Sequence, residues 1–479
     1  MLYSGMFPAT TAADRETAVP SAALASAAAR FGTPLYVTDM AGVAAAASRL
    51  EAVFGPPWIR LYSLKANDLP AVTSFLHGRG WGASVVSAGE WRHARAGGVA
   101  NESVAFEGLG KTDAQLELVV HETAAGRPLR WLAIESGQEA AVLAGLARRA
   151  GLGRDGRPPA DLLLRLNPGV APETRPEFAV GARASKFGMS DQEILALAQG
   201  GALTGPGLRL RGIHVHVGSD LSHVQSFCAA GLSAVRLLSA VRGAYRGDAS
   251  WLDTVDFGGG FPLPAPGVPG PEEFRDALAR ALHEANLQLP PRAAIEPGRY
   301  LVGATGWLVA SVLHARPGTS HAQQVVLDAG MTELIRPALY GSRHTAHALR
   351  AAGRPAPGAR HSAAARPLDT ALEGPVCEST DSFGQHLLPP LRRGDLVAIG
   401  QAGAYGASFT SRYNGRPPPG EVLLWPDGSL QPCERPALGG AGWPGWPSPA
   451  LAAHRAAWHL PQGPCRTVGS PPATKESLP

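Results

Sequence analysis

The sequence is poor in cysteine and in aromatic residues, and it has no long run of apolar or of basic residues. Its four cysteines are Cys228, Cys377, Cys433 and Cys465. They lie far apart with no CxxC pair, which argues against a zinc knuckle and against a disulfide framework. No apolar segment reaches the roughly 20 residues that cross a bilayer. The formal charge of +4 is spread thinly, which argues against nucleic-acid and membrane partners and favours small anionic ligands.

The N-terminal residues indicate where the protein is located, and the chain length indicates how many domains it has. Residues 1–30 show neither the basic start nor the compact apolar block of a secretory signal, so we expect a cytoplasmic protein. A chain of 479 residues is too long for one small core and should divide into two or three domains. A large enzyme is therefore possible.

Eight β-type segments alternate with helix-like segments in the first two thirds of the chain, an order typical of βα units with a parallel sheet. The predicted strands are Ile59–Ala66, Trp81–Ser87, Ser103–Glu107, Arg130–Ser136, Asp161–Asn167, Leu208–Val217, Thr254–Gly258 and Arg292–Pro297. Helical spacing of apolar residues marks Gln138–Ala150, Asp191–Gln199 and Pro271–Asn286. Eight such units match a (β/α)8 TIM-type barrel, with an open doubly wound sheet as the alternative. Polar residues and glycines gather at the strand ends, which favours the barrel.

A second, β-rich domain should follow, because the β-like segments after Tyr300 have no regular helices between them. They are Trp307–His314, Gln323–Asp328, Asp395–Ile399 and Glu421–Trp425. Leu35–Thr38 precedes the barrel and could pair with that domain, and His344–Leu368 is predicted to be a surface loop. We divide the chain into an N-terminal segment that joins the β domain, the barrel, the β-rich domain and a Pro- and Gly-rich tail, at residues 1–34, 35–300, 301–438 and 439–479.

A lysine ends the first predicted strand, in the motif Tyr62-Ser63-Leu64-Lys65-Ala66-Asn67. Burial at a barrel mouth favours the neutral form of a lysine, and a neutral amine can form a Schiff base with an aldehyde cofactor. A surface lysine at a strand end is the alternative. This motif alone does not decide between them.

Two histidines, His214 and His216, point to one face of the sixth strand because strand side chains alternate. A paired-histidine metal site is one interpretation, but the only close carboxylate is Asp220, beyond a Gly-Ser turn, and no cysteine accompanies it. We therefore predict no metal site. The histidines could be core residues, or one imidazole could stack on an aromatic cofactor ring.

Two further motifs end the seventh and eighth strands. Gly258, Gly259 and Gly260 allow close backbone approach and can aim N–H groups at a phosphate, although a tight turn is the simpler interpretation. Glu296-Pro297-Gly298-Arg299 places a carboxylate and a guanidinium almost adjacent, which a structural ion pair would also explain. Together with the lysine and the histidine, these are the parts that a pyridoxal phosphate site requires.

The motifs in this order resemble those of the alanine-racemase-like barrel family of pyridoxal-phosphate-dependent decarboxylases, and within it those of the enzymes that act on diaminopimelate. The resemblance runs from about Phe31 to Val422. Further motifs that carry it are Asn167-Pro168-Gly169, Ser185-Lys186-Phe187-Gly188, Asp328-Ala329-Gly330-Met331, Arg336-Pro337-Ala338-Leu339-Tyr340, Gly374-Pro375-Val376-Cys377-Glu378-Ser379 and Gly403-Ala404-Tyr405-Gly406.

The resemblance assigns roles to the cofactor residues. It implies that Lys65 binds the cofactor as a Schiff base and that His216 stacks on its ring. Glu296 should face the pyridine nitrogen, where a carboxylate keeps that nitrogen protonated and makes the ring a better electron sink. The phosphate should be bound by a set of residues close to the ring: Gly258, Gly259, Gly260, Ser219 and the Pro297-Gly298-Arg299 backbone, with Tyr405 nearby.

The resemblance also implies the reaction and the assembly. The substrate amine displaces Lys65, CO₂ leaves, and a proton returns to the product, with Cys377 as the candidate donor. In this family that cysteine enters the site from a partner subunit, which implies a homodimer with two shared sites. An ordinary buried thiol is the alternative for Cys377.

Substrate choice is assigned to Arg299, Arg336, Tyr340, Glu378 and Tyr405. meso-2,6-Diaminopimelate carries an extra ammonium and an extra carboxylate at its far end. Glu378 would bind the distal ammonium and the arginines the distal carboxylate. The expected products are L-lysine and CO₂. This reaction would be the last step of lysine biosynthesis.

Some positions depart from the family pattern, and other functions are possible. Ser84 stands where an Asp is common, Glu107–Lys111 lacks a frequent Asn, and Glu173–Pro176 lacks a usual His after Thr. The alternatives are a decarboxylase of ornithine, lysine or carrier-bound glutamate, a racemase, or a non-catalytic regulatory protein that binds the cofactor. Lys65 and Cys377 argue against the regulatory protein, and a racemase would need a tyrosine in place of Cys377.

Overall fold

The computed structural model describes residues 19–349 and 366–436, which form a closed parallel barrel and a mixed sheet. The predicted tail, residues 439–479, lies outside the described residues. So do residues 1–18 of the predicted N-terminal segment and most of the predicted loop His344–Leu368. Cys465 is in the tail, and the three described cysteines, Cys228, Cys377 and Cys433, are unpaired.

Eight parallel strands form the barrel, and each overlaps one of the eight predicted strands. After β1 (Leu35–Asp39), which belongs to the other sheet, they are β2 (Ile59–Ser63), β3 (Gly82–Val85), β4 (Val104–Phe106), β5 (Trp131–Ile134), β6 (Ala160–Leu166), β7 (Leu208–Val215), β8 (Thr254–Asp256) and β9 (Arg292–Ile295). Ile59 pairs with Ala294 and Arg60 with Ile295, which closes the barrel. The (β/α)8 prediction is therefore confirmed, and the doubly wound alternative is wrong.

Helices surround the barrel, and two others, the first and the last, contact the second sheet. Serine or threonine side chains cap several of the helices at the positions where the sequence changes from strand to helix. The helices are α1 (Ser21–Phe31), α2 (Met40–Val53), α3 (Pro70–His77), α4 (Ala88–Ala96), α5 (Asp113–Ala124), α6 (Gly137–Arg149), α7 (Asp191–Gln199), α8 (Gln225–Ala244), α9 (Pro271–Glu284), α10 (Arg299–Val302) and α11 (Arg336–Tyr340). Ser190 and Glu193 form a capping box at the start of α7, which explains why its predicted bounds agree with the structure.

One helix of the described residues, α8, is long and apolar enough to cross a membrane. Half of its most apolar window is buried inside the protein. Its buried residues include Phe227, Ala234 and Leu238, and Phe227 packs edge-on against Phe274 of α9. These contacts are those of a barrel helix that packs on its neighbours.

The second sheet has nine strands, and β1 lies inside it. The later strands are β10 (Gly306–Arg316), β11 (Gln323–Leu327), β12 (Ala346–Leu349), β13 (Leu368–Glu373), β14 (Ser382–Leu388), β15 (Leu396–Ile399), β16 (Gly420–Leu424) and β17 (Leu430–Cys433). β1 pairs antiparallel with β10 and parallel with β16. The strand therefore belongs to the sheet although it falls inside the range 35–300 that we assigned to the barrel. Leu24 and Ala27 of α1 pack on this sheet against Val309.

Two parts of the sheet differ from the prediction. The predicted loop His344–Leu368 begins with a strand, β12, which pairs antiparallel with β15. The strands β13, β14 and β17 were not predicted at all. β13 pairs with β11 in parallel, a long-range contact that no local pattern reveals.

Candidate active site

A cavity of about 410 Å³ opens at the carboxyl ends of the barrel strands, where a (β/α)8 barrel carries its active site. Seven of the predicted site residues line it: Lys65, His216, Ser219, Arg299, Arg336, Tyr340 and Tyr405. They come from three different barrel strands and from the second domain. The structure thus brings half of the fourteen predicted cofactor and substrate residues into one cavity.

The second domain holds the turn that carries Lys65. This residue lies in a single 3-10 turn, Leu64–Ala66, directly after β2. Ser408 donates a hydrogen bond to the Lys65 carbonyl at 3.0 Å, and the Tyr405 N–H donates to the Ala66 carbonyl at 2.7 Å. The position of the lysine is therefore fixed jointly by the barrel and by the segment that follows β15.

His216 is held as a neutral imidazole by its neighbours. Its Nδ1 accepts a hydrogen bond from the Gly259 N–H at 3.1 Å, so that nitrogen carries no proton. Burial and then the nearby Lys65 amine keep the pKa of His216 well below its usual value. A neutral, oriented ring that lines the cavity fits the predicted stacking partner of a flat cofactor.

The predicted phosphate loop is only partly available. The N–H of Gly258 donates to Asp256 at 2.9 Å, and the N–H of Gly259 is the one bonded to His216. These two N–H groups have partners within the chain and position the loop, and the binding of a phosphate by Gly258 and Gly259 stays a prediction. The N–H groups of Gly260, Gly298 and Arg299 have no partner within the described part of the chain, so the phosphate fits at these three positions, close to Ser219.

Glu296 lies below the cavity with one oxygen free. It is buried, and its Oε1 has no hydrogen-bond partner among the described residues. Burial alone would raise the pKa of Glu296, but its close neighbours His214 and Glu107 and the charge of Lys65 bring it below its usual range. A buried, ionised carboxylate with a free oxygen fits a protonated ring nitrogen. The residues present therefore fit pyridoxal phosphate.

Two buried arginines lie side by side in the cavity wall. The guanidinium carbons of Arg299 and Arg336 lie 5.1 to 5.6 Å from the ring centroids of Phe178 and Tyr405. The nearest carboxylate oxygen to Arg299 belongs to Asp220, 3.9 Å away. Burial and then Arg299 lower the pKa of Arg336 to about 10, so it stays charged at neutral pH. Two cations beside a single, loosely paired carboxylate leave positive charge that can attract an anion.

Cys377 and Glu378 do not line this cavity. They lie between β13 and β14 and are exposed. Asp381 fixes their loop by accepting a hydrogen bond from the Val376 N–H at 2.9 Å. Within one chain the structure therefore does not bring the candidate proton donor and the candidate ammonium ligand to Lys65.

Several cavity residues were not predicted as site residues. They are Val86, Gly108, Leu109, Gly110, Arg165, Phe178, Val180, Phe187 and Phe409. Phe178 belongs to the segment that follows the departure at Glu173–Pro176, and Leu109 belongs to the departure at Glu107–Lys111. Both departures thus lie in, or directly before, a segment that lines the cavity. The departures from the family pattern were therefore the sequence signal that could have identified these cavity residues.

Comparisons with known proteins agree with this site. The family model described as pyridoxal-dependent decarboxylase, pyridoxal binding domain, matches residues 40–303. The chain is 33% identical to the diaminopimelate decarboxylase of Deinococcus radiodurans, over 84% of this chain and 92% of that protein. It is also 33% identical to the diaminopimelate decarboxylase of Actinosynnema pretiosum, over 87% of this chain and 90% of that protein.

Solved structures of similar shape include two with a bound amino acid. The diaminopimelate decarboxylase of Helicobacter pylori complexed with L-lysine matches with a TM-score of 0.71 at 27% identity, over 85% of this chain and 95% of that chain. The enzyme of the same name from M. jannaschii in co-complex with L-lysine matches with a TM-score of 0.74 at 26% identity, over 86% and 92%. The likeness extends over the barrel and the second sheet.

Proposed function

Because this chain belongs to the pyridoxal-dependent decarboxylases, and among them to the diaminopimelate decarboxylase family, we propose that it converts meso-2,6-diaminopimelate to L-lysine and CO₂. The observation that carries the proposal is the cavity itself. It combines a lysine in the turn after β2 with two buried arginines, of which Arg299 has Asp220 as a carboxylate neighbour at 3.9 Å. A substrate with a second carboxylate fits those arginines better than a simple diamine precursor does.

The cofactor residues have separate tasks. Pyridoxal phosphate, when bound, supplies an electron sink for the electron pair that remains on the substrate after CO₂ leaves. Lys65 offers the amine that holds the cofactor aldehyde and gives way to the substrate amine. Glu296 accepts the ring N–H, and the neutral His216 covers one face of the ring. The free N–H groups of Gly260, Gly298 and Arg299 bind the phosphate.

The substrate groups at the far end are recognised by charge. Arg336 and Arg299 attract the distal carboxylate, and Tyr340, whose ring lies 5.2 Å from that of Phe178, covers the same side of the cavity. Glu378 attracts the distal ammonium. Cys377 returns a proton from its Sγ to the carbon that has lost CO₂.

Cys377 and Glu378 can act only in the site of a partner subunit, so we infer a homodimer. Both residues are exposed and lie outside their own chain's cavity. Leu109 and Phe409 at the cavity mouth and Tyr413 beside Glu378 are also exposed. Exposed apolar side chains in this position are expected where a second copy packs and completes the site.

The reaction and the substrate are tested together with purified, cofactor-loaded protein. Release of CO₂ and lysine is measured from meso-diaminopimelate, with ornithine and lysine as parallel substrates. We expect lysine only from diaminopimelate, and none from the Lys65→Ala variant. Turnover of ornithine or lysine instead would overturn the assignment of the arginines, and no release from any substrate despite a bound cofactor would favour a regulatory protein.

The shared site is tested by complementation between two inactive variants. Lys65→Ala and Cys377→Ala chains are co-expressed with different tags, and the mixed dimers are isolated by purification on both tags. One of the two sites then receives an intact lysine and an intact cysteine. We expect about half of the wild-type activity, as two-fold symmetry requires. An inactive mixed dimer would show that each chain uses its own cysteine.

We also propose that the protein acts in the cytoplasm. Three described cysteines are unpaired, and Cys377 must stay a free thiol to return a proton. Reducing compartments maintain such thiols. Fractionation of cells that express the tagged protein should place it with cytoplasmic markers, and recovery with secreted proteins would contradict the proposal.

A further inference from the structure

Three ionisable side chains meet in the barrel interior beneath the cavity. Glu107 follows β4, His214 lies in β7, and Glu296 follows β9. The Nε2 of His214 lies 3.3 Å from Oε2 of Glu107 and 3.4 Å from Oε2 of Glu296. All three residues are less than one tenth exposed, and their donor and acceptor atoms lie within 4.8 Å of one another. Two carboxyl groups therefore share one imidazole away from water.

The two carboxyl groups, of Glu107 and Glu296, cannot both be ionised. In a low-dielectric interior, two carboxylates at this separation repel strongly, and one of them keeps a proton. Burial and the neighbouring Glu296 raise the pKa of Glu107 well above its usual value. For Glu296, the neighbouring His214 and Glu107 side chains and then the charge of Lys65 outweigh burial and hold its pKa below the usual range. The proton therefore resides on Glu107, and Glu107 can donate a hydrogen bond to Glu296.

The other charges around the pair leave this assignment unchanged. Arg165 approaches from β6 but is already bound to Glu135 at 2.6 Å. Asp256 at the end of β8 is itself buried, and burial and Glu296 raise its pKa. Burial lowers the pKa of His214, so its ring is neutral and adds no positive charge at neutral pH. His216 and Lys65 lie on the cavity side of Glu296.

We propose that Glu107 is a positioning residue: as the protonated acid it donates a hydrogen bond to Glu296 and thereby keeps Glu296 a weak base towards the ring nitrogen of the cofactor. This proposal rests on the proposed function, in which Glu296 accepts the ring N–H. A lone buried glutamate prefers its neutral form, so it would take the ring proton. A donor behind Glu296 opposes that transfer, so the proton stays on the ring nitrogen, where the electron sink needs it.

The same three side chains would also suit a divalent cation. A cation bound by Glu296 would withdraw charge from the oxygen that must accept the ring N–H, so the two uses conflict. Oε1 of Glu296, Oε1 of Glu107 and both ring nitrogens of His214 have no hydrogen-bond partner among the described residues, so these atoms alone do not decide between the two uses. Metal binding is therefore kept as an outcome of the test.

The test compares two substitutions of nearly equal size in the holoenzyme. Glu107→Gln keeps an N–H donor towards Glu296, whereas Glu107→Leu removes it. Each protein is loaded with pyridoxal phosphate that carries ¹⁵N in the ring, and the ring-nitrogen resonance is recorded at neutral pH without substrate. We expect a protonated ring nitrogen in the wild type and in Glu107→Gln. In Glu107→Leu the resonance should move to the position of an unprotonated pyridine.

Three outcomes would overturn the proposal. One is a protonated ring nitrogen in Glu107→Leu, and another is its loss in Glu107→Gln. The third is one equivalent of zinc in the purified wild type that Glu107→Gln loses. If Glu107→Leu does not fold, Glu107→Asn, whose amide is one methylene too short to reach Glu296, replaces it. Because the measurement needs no substrate, a failure to form lysine would refute the proposed function and leave this result standing.

Discussion

The phenol of Tyr413 donates a hydrogen bond of 2.5 Å to Oε1 of Glu378. The next residue, Asn414, donates to the Sγ of Cys377 at 3.3 Å. Tyr413 and Asn414, which are consecutive in one turn, thus form hydrogen bonds with Glu378 and Cys377, which are consecutive in another loop. The pair that we assign to the partner's site is therefore ordered within its own chain, before a second subunit is present.

Removal of the Tyr413 hydroxyl should weaken the use of substrate. Tyr413→Phe leaves the ring but lets Glu378 rotate, so we expect kcat/KM for diaminopimelate to fall by roughly three- to tenfold, as for the loss of one solvent-exposed hydrogen bond worth about 1 kcal/mol. The loss should appear mainly in KM, since Cys377 keeps its own contact with Asn414. Steady-state kinetics measure both constants. Tyr245→Phe, which removes a hydroxyl bonded to the Leu203 carbonyl far from the site, is the control, and equal effects of the two variants would contradict the prediction.

Gly258 should not tolerate a side chain. Its φ is +69°, and a Cβ there would lie 2.7 Å from both His216 Nδ1 and the Val215 carbonyl oxygen. Gly258→Ala would therefore displace the His216 imidazole, which we propose stacks on the cofactor. We expect the Kd for pyridoxal phosphate to rise at least about tenfold, which corresponds to about 1.4 kcal/mol. Titration of the apoprotein by fluorescence measures this constant.

The control for this substitution is Gly267→Ala. Gly267 has nearly the same backbone angle, a φ of +74°, but no atom lies within 4 Å of the position of its Cβ. The backbone strain of about 1 kcal/mol is therefore common to both variants, and only the close contacts of the Cβ with His216 and the Val215 carbonyl differ. Equal losses of cofactor affinity would mean that the strain, and not the contact, is responsible.

The barrel could be predicted from sequence because its signals are local. Each strand is a short apolar run that ends in a polar residue or a glycine, and α7 begins at a capping box. The strands β13 and β14 were missed because β14, Ser382–Leu388, contains exposed polar residues and a glycine at φ +87°. Its order depends on pairing with β13, which a sequence window does not contain.

The site shows the same division between local and long-range information. The motifs identified Lys65, His216 and the arginines, because each stands at a strand end or in a named motif. They did not show which N–H groups of the glycine loop are free, since contacts with Asp256 and His216 decide that. The contact of Glu107 with His214 and Glu296 joins three strands and has no sequence spacing at all.

Arg435 should contribute to stability more than its position near the end of the described chain implies. Its guanidinium binds Glu421 at 2.8 Å and Asn67 at 3.1 Å, and it also contacts Asp68. Arg435→Met would leave partly buried carboxylates without a cation, and we expect the free energy of unfolding to fall by roughly 3 kcal/mol. Urea denaturation measures this. Arg49→Met, which breaks an exposed pair with Glu272, should cost less than about 1 kcal/mol, and a similar loss in both would contradict the prediction.

His344 should make the protein less stable in acid. It is buried, its Nδ1 lies 3.0 Å from the Gly400 carbonyl oxygen, and burial, with smaller contributions from Arg336 and Arg299, lowers its pKa to about 4. The unfolded chain, with a histidine pKa of about 6.5, therefore binds one more proton than the folded protein between these two values. Stability contributed by His344 is complete above about pH 6.5 and falls by up to about 1.4 kcal/mol per unit as the pH drops towards 4.

His344→Gln removes this titration, so its melting temperature should depend less steeply on pH than that of the wild type between pH 6.5 and 4. The other groups that titrate in this range are common to both proteins, so the difference between the two profiles isolates His344. His223→Gln replaces an exposed histidine and should leave the wild-type slope unchanged. Parallel profiles for His344→Gln and the wild type would mean that His344 takes up its proton without unfolding, through a local opening at Gly400.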